Sequence, residues 1–562
     1  MCAQIPARTG VFPIQLRMMN KTTHKRTRTD LCFLMIAAAV LVLHIVKAPV
    51  GMGESDEHFY ITLGYRLFQG DAMFFDDWHI AQMIGIFLCP LVALFHAVTG
   101  SMDGVVLGFR YFYIAFNLLL GCAFYFCFRH RGVSAVFGAC AIFLFAPYNT
   151  FALSYNSMGP GFLLLAALLY PIESESKPRL FFSGLLYAWA VLNTPYLAMI
   201  FVVLTIVTIV CPKRFSRRRW LCMFLGILTA AVIFIAFVLS RASLGQIVSC
   251  LKYLIDPSHS AGMIRQFAVS MGKLALAFNV FWIPMAGALI AAFTLRKKPE
   301  ETQARFLGSA SLVAVLSGIY VAFVHPYQAQ MGGYMLILVP AALLGVELLV
   351  LRGMDPELKL CFILSLIDSL AISLSSNVGP RAFSGPLITA CAVTVICLWE
   401  SDVTVPVKGA GVFAMLALLL WFNVSFVYLG EGDYSRRIDN GPLAGLYDSP
   451  KAVTNYSRSL DDITAINALT EYPYANLITA NSWEYLALTK RMASNSTYAY
   501  FWEQDQYTDA MDQYRIVHPE RYPAYYYLDR MGNRYGMKEN DPWLAQFEMI
   551  ETMQNGSLYI AR

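Results

Sequence analysis

Gly53-Glu-Ser-Asp-Glu-His-Phe-Tyr60, directly after the first apolar run, decides how the chain is read. A second acidic and aromatic cluster, Phe75-Asp-Asp-Trp-His79, follows, and the segment runs through an apolar stretch onto Gly108-Phe109-Arg110. Ionised side chains beside hydrocarbon are costly unless hydrated, paired or used, so carboxylates at the mouth of an apolar run mark a candidate functional site. A solvated acidic loop is the plainer reading. Two acidic groups, each with aromatics and a histidine, argue against it.

The rest of the chain is apolar enough to make a membrane the relevant solvent. Of 562 residues, 57% are hydrophobic and only 14% charged, which excludes a soluble protein of ordinary composition. The net charge of +5 sits in short basic loops, so it reports orientation rather than nucleic-acid binding. The 12 cysteines end at Cys397 and show no metal-ligand spacing, so the polar C-terminal region has no disulfide framework.

A crossing helix needs about 20 apolar residues, and Lys and Arg collect on the cytoplasmic side. Residues 1–30 form a basic cytoplasmic N-terminus, and the first span begins at Leu31. The loop of residues 49–103, with Asp56 and Glu57, then lies outside. Lys47, at the outer end of that span, either snorkels to the interface or meets a phosphate. Gln82 to Thr99 could cross, but crossing would strand Arg129 and Arg131 outside, so it is laid along the outer surface. Asn193-Thr194-Pro195 breaks the long run from Leu180 to Val210 into two short spans. A longer external loop is expected from Arg241 to about Gly272. The sum is about thirteen spans between residues 31 and 428, with the C-terminus outside.

Residues 429–562 are polar and rich in Tyr and Trp. Strands are expected at Asn476 to Ala480 and Ala524 to Leu528. Helices are expected at Leu460 to Leu469, Trp483 to Lys490 and Trp543 to Met549. The fold class is thus mainly α, a polytopic membrane protein carrying a small external α/β C-terminal domain. No Gly-rich phosphate loop and no repeat of fixed period is visible.

Asp56-Glu57 followed by Tyr60, then His79 and Arg110, resembles the first external loop of the GT-C membrane glycosyltransferases. That class includes the protein O-mannosyltransferases and the lipid A aminoarabinose transferases. The resemblance implies an inverting enzyme that moves a sugar from a polyprenyl-phosphate donor to a glycan, lipid or protein acceptor at the outer face. Asp56 and Glu57 fall on the family's acidic pair, with Tyr60 beside them. Two features depart from the pattern. Ile80-Ala81 replace a proline pair, and Ser154-Tyr155-Asn156-Ser157 stands where many relatives carry a second acid. Asn156 can hydrogen-bond a substrate but cannot act as a base; Asp77 or a different substrate would compensate.

Such a transfer needs a base, donors for the departing phosphate and a groove for the isoprenoid, but no nucleotide site. Adjacent carboxylates can raise each other's proton affinity, which makes Asp56, with Glu57, the expected base. Asp76, Asp77 and His79 are candidates for sugar hydroxyls or a divalent cation; no cofactor is required by the chemistry. Arg110, Arg265 and Arg381 are candidates for the phosphate, since guanidinium donors match its geometry. A loop carboxylate could instead claim Arg110 as an ion-pair partner. The competing classes are a transporter or lipid flippase without covalent chemistry and a polysaccharide polymerase or ligase. The expected location is a bacterial cytoplasmic membrane, with the sequons at Asn455, Asn495 and Asn555 used only in an endoplasmic reticulum lumen.

Overall fold

The structure, a computed structural model, describes residues 12–53, 55–172, 176–210, 216–254, 263–324, 336–375, 385–425, 432–498, 504–530 and 537–562. Helices dominate up to residue 425. They are α1 (Phe12–Lys47), α2 (Ser55–Phe68), α3 (Gly85–Thr99), α4 (Val105–Phe128), α5 (Val133–Leu144), α6 (Tyr155–Leu169), α7 (Lys177–Asn193) and α8 (Ala198–Val210). Then come α9 (Arg217–Leu239), α10 (Leu244–Cys250), α11 (Met263–Phe278), α12 (Trp282–Leu295), α13 (Glu300–Val324), α14 (Leu338–Arg352), α15 (Pro356–Ser375), α16 (Ile388–Glu400) and α17 (Val405–Ser425). Among the described residues, 7 helices are long and apolar enough to cross a membrane, and shorter apolar helices accompany them. The chain is a polytopic membrane protein. The break between α7 and α8 falls at Asn193-Thr194-Pro195, as the proline dictates. Where a loop was expected before Gly272, α10 and α11 form instead, because apolar residues recur there at helical spacing among the polar ones.

Charges gather at one end of the bundle. Arg129 bonds Asp30, and Arg131 bonds Asp355 and Glu400, so the middle of α1, where its apolar stretch begins, the end of α4, the α14–α15 turn and the end of α16 share that end. The segment Ile80–Thr99 meets the length and apolarity of a crossing helix. Both of its flanks nevertheless hold the C-terminal domain: Trp78 N donates to Asn495 O at 2.8 Å, and Gly104 N donates to Gly441 O at 2.9 Å. The segment therefore runs alongside that domain and does not carry the chain to the opposite end. Elsewhere helices approach closely through glycine. A Cβ on Gly184 would lie 2.1 Å from Met223 O, so α7 and α9 touch backbone to backbone.

The C-terminal domain contains β1 (Arg436–Arg437), β2 (Tyr447–Asp448), α18 (Pro450–Ala468), β3 (Tyr474–Ile478), α19 (Trp483–Ala487), β4 (Arg491–Met492), α20 (Gln504–Val517), β5 (Ala524–Asp529), β6 (Glu548–Thr552) and β7 (Gly556–Ala561). Its five-stranded sheet runs β4-β3-β5-β7-β6; β3 is parallel to β4 and β5, and β7 is antiparallel to both its neighbours. The helix expected at Trp543 to Met549 is a short 3-10 turn leading into β6, because an edge strand that stays exposed along its length gives no alternation to read. Asn495 and Asn555 are buried, and Asn555 Nδ2 donates to Asn455 O and Ser459 Oγ, so neither side chain presents an amide for glycosylation.

A carboxyl pair sits at the carboxyl edge of β3 and β5. Glu484 and Asp529 are both fully buried, and Asp529 Oδ2 accepts from Thr479 Oγ1 at 3.0 Å and Asn481 Nδ2 at 3.2 Å. Burial, then the charge of Asp529, pushes the Glu484 carboxyl well above its usual range. The folded state therefore keeps a proton that the unfolded chain releases above about pH 4.5, and stability falls as pH rises toward the folded value. Glu484→Gln is expected to flatten that dependence and to stabilise the domain by about 1–3 kcal/mol at pH 8, with little change near pH 4. Thermal unfolding of both proteins across pH 4–9 checks it; parallel curves would rule out a retained proton.

Candidate functional site

Pro49 to Gly53 leaves α1 and pairs with the C-terminal domain before α2 begins. Tyr447 N donates to Pro49 O, Gly51 N donates to Tyr447 O, and Met52 N donates to Asp448 Oδ2, each at 2.8 Å. This short bridge fixes where α2 starts. Asp56 and Glu57 occupy its first turn, where the helix dipole favours negative charge. Adjacent helix positions point about 100° apart, so the two carboxylates part company.

Glu57 turns inward and is spent on structure. Arg110 Nε donates to Glu57 Oε1 at 2.6 Å and Nη2 donates to Oε2 at 2.9 Å, a bidentate buried pair. Arg110 Nη1 donates to Ala48 O at 2.6 Å and Val50 O at 3.3 Å, so one guanidinium ties the end of α1, the start of α2 and α4 together. Gly53, at φ 81°, permits this approach: a Cβ there would stand 2.1 Å from Glu57 Oε2. Glu57 and Arg110 neutralise each other in this geometry, which is the loop-carboxylate partner that the sequence left open for Arg110. Buried His58 has its Nε2 2.9 Å from Met52 O, and desolvation pulls its pKa down to about 4.

Asp56 is exposed and lines a cleft with Tyr60, Tyr148, Thr150, Ser154 and Asn156, and the ion-paired Glu57 carboxylate borders the same cleft. Tyr60 is buried in its wall, and burial, with the charges around it, including Asp56, raises its phenol well above the ordinary value. The opposite wall is a strained turn. Tyr148 (φ 54°) and Asn149 (φ 55°) both adopt the left-handed conformation, at a cost of about 1–3 kcal/mol each. Lys47 holds that turn from below: its Nζ donates to Asn149 Oδ1 at 2.7 Å and to Asn423 O, while Asn149 Nδ2 donates to Phe422 O at 3.2 Å. Lys47 is thus turned into the protein rather than toward the interface. The structure brings Asn156 to the same cleft as Asp56, and Asn156 is also a wall of the next cavity inward. That cavity is lined by Tyr113, Phe116, Leu120, Ile142 and Leu164, and shares Pro147 and Asn156 with the cleft.

Asp76, Asp77 and His79 do not join this cleft. Arg521 Nη2 lies 2.5 Å from Asp76 Oδ1 and 3.0 Å from Asp71 Oδ1, and Arg66 Nε lies 2.8 Å from Asp71 Oδ2. Asp77 Oδ1 accepts from His79 N at 2.8 Å, and its Oδ2 lies 3.5 Å from Arg66 Nη1. Burial raises Asp77 to about 6, partly offset by Arg66. For Asp71, burial acts upward, but Arg521 and Arg66 outweigh it and hold the carboxyl below its ordinary value; Asp76, pushed up by burial and by the charge of Asp71, lies above it. His79 Nδ1 accepts from Ala81 N at 3.0 Å, capping the turn that replaces the expected prolines. Arginines and backbone thus engage Asp76, Asp77 and His79, the candidates for sugar hydroxyls or a divalent cation, and no group of three His, Cys, Asp or Glu side chains placed to hold a metal ion is present among the described residues. The network joins α2 and the segment that follows it to the C-terminal domain, and sequence reasoning missed it because Arg66, Arg521 and Asp71 lie far apart in the chain or outside the motifs. Arg265 stands exposed on α11, and Arg381 lies outside the described residues.

No family model and no curated protein sequence matches the chain. Among solved structures, the chain is similar to ArnT from Cupriavidus metallidurans bound to undecaprenyl phosphate, with 13% identity, a TM-score of 0.48, and coverage of 94% of this chain and 97% of that one. It is also similar to the oligosaccharyltransferase of Archaeoglobus fulgidus in its apo form, with 10% identity, a TM-score of 0.47, and coverage of 94% of this chain and 74% of that one.

Proposed function

We propose that this protein is an inverting membrane glycosyltransferase that moves a sugar from a polyprenyl-phosphate donor to a glycan, lipid or protein acceptor at the outer face of a bacterial cytoplasmic membrane. The observation that carries the proposal is the placement of Asp56. Of the two motif carboxylates it is the one not locked in the Arg110 pair, and its cleft shares Pro147 and Asn156 with an apolar cavity. In the proposed step Asp56 accepts the acceptor hydroxyl proton as the acceptor oxygen bonds the anomeric carbon. The bond from that carbon to the phosphate oxygen breaks, and the polyprenyl phosphate leaves with its electron pair. Asn156 and Thr150 supply hydrogen bonds to sugar hydroxyls, and the apolar cavity takes the first isoprene units. Arg265 and Arg381 stay as proposed partners of the phosphate, since Arg110 is committed to Glu57.

Membranes containing the protein are expected to transfer radiolabelled sugar from polyprenyl-phosphate donors without added nucleotide. Labelled nucleotide sugars given to the purified protein alone are expected to yield nothing. Transfer from nucleotide sugars by the purified protein, or no transfer from any polyprenyl-phosphate sugar, would overturn the reading.

A further inference from the structure

The turn that faces Asp56 is shaped by side chains that do not line the cleft. Between α5 and α6 the chain runs Pro147-Tyr148-Asn149-Thr150; Tyr148 and Thr150 line the cleft, and the Asn149 side chain is buried behind them. The backbone bonds of the turn, Asn149 N to Ala146 O at 2.9 Å and Thr150 N to Pro147 O at 3.1 Å, are those of any tight turn. Two consecutive left-handed residues other than glycine need more than that, because each brings its Cβ against the following carbonyl oxygen. The Asn149 amide supplies it. Its Oδ1 accepts from Lys47 Nζ at the end of α1 at 2.7 Å, and its Nδ2 donates to Phe422 O on α17 at 3.2 Å. Lys47 Nζ also donates to Asn423 O, and Asn423 Nδ2 donates to Leu144 O, at the end of α5, at 3.0 Å. The ends of α1, α5 and α17 thus close around one amide.

Thr150 shows what this clamp delivers. Its Oγ1 donates to Pro147 O at 3.0 Å, so its proton is spent and its oxygen is left as an acceptor. The cleft then has an acceptor on each side, Thr150 Oγ1 and the Asp56 carboxylate, and the turn sets the distance between them. We propose that Asn149 is a positioning residue for substrate binding, with Lys47 as its clamp. The amide holds Tyr148 and Thr150 where sugar hydroxyls bridge from them to Asp56, and it takes no part in proton transfer. This inference rests on the transferase reading given above.

Initial rates of transfer by the purified full-length protein, over a range of polyprenyl-phosphate-sugar concentrations and per amount of folded protein, test it. Asn149→Gly is the decisive variant, because glycine adopts the left-handed conformation freely and only the amide is lost. It is expected to raise KM for the donor about tenfold while kcat stays within about twofold. Asn149→Asp, which also tolerates the left-handed conformation and keeps an oxygen for Lys47, is expected to recover most of that KM. Lys47→Gln removes the clamp from the other side and is expected to shift KM in the same direction, which keeps the test available if Asn149→Gly does not fold. Wild-type KM in Asn149→Gly and Lys47→Gln would overturn the inference, because the backbone alone would then set the turn. A fall in kcat at unchanged KM would also overturn it, as would Asn149→Asp binding no better than Asn149→Gly. No transfer by the wild type would instead overturn the transferase reading, and this inference with it.

Discussion

Asp56→Asn is expected to lower sugar transfer by about 10²–10⁴-fold, the usual contribution of a positioned general base, equivalent to about 3–5 kcal/mol of activation free energy. Asparagine keeps the shape and one acceptor oxygen but cannot take the acceptor proton. Because Asp56 is exposed at the first turn of α2 and Glu57 carries the buried ion pair, the variant is expected to fold and bind donor as the wild type does. Glu57→Gln supplies the contrast. It leaves the Arg110 guanidinium buried without its counter-charge, so its loss of transfer is expected to come with a lowered unfolding midpoint, at a cost of about 3–5 kcal/mol. Single-turnover transfer with a bound labelled donor, measured with thermal unfolding of each variant, separates the two. Transfer by Asp56→Asn at the wild-type rate would remove Asp56 from the chemistry.

Arg521→Ala is expected to undo the seam between the segment that follows α2 and the C-terminal domain. Arg521 holds Asp71 and Asp76 together and donates through Nη1 to Met492 O. Its removal leaves two buried carboxylates with only Arg66, partly exposed Arg491 and His518 near them. Breaking a buried pair by deleting one partner costs about 3–5 kcal/mol. The expected result is a domain that protease clips near residue 432 under conditions where the wild type resists. Arg521→Lys, which keeps the charge but loses the planar fork, is expected to fall between the two. Holding Asp71 below its ordinary pKa stabilises the seam above the unfolded carboxylate range, and that contribution fades as pH falls through the folded value. Wild-type resistance in Arg521→Ala would mean that the apolar contacts of Trp78 with Tyr253 and Tyr514 hold the seam alone.

The Asp56 motif and the Pro195 break are local features, and each is visible in a window of a few residues. Composition and span length are likewise additive along the chain. Glu57 and Asp76 look equivalent to Asp56 in sequence, since each is a carboxylate beside aromatics in the same loop. They differ only in which arginine reaches them, Arg110 for one and Arg521 for the other, across separations of 53 and more than 400 residues. Tyr148 and Thr150 joined the cleft through a left-handed turn that no residue type there announces.

By itself, then, the sequence determined a polytopic membrane protein with a polar α/β C-terminal domain and an acidic motif just after the first apolar run, because hydrophobicity and helix periodicity depend on neighbours in the chain. Only the tertiary structure decided which of the two cleft carboxylates is held by an arginine and where the other arginines are committed. Ion pairs and cavities are made between elements, and their partners are set by packing rather than by distance along the sequence.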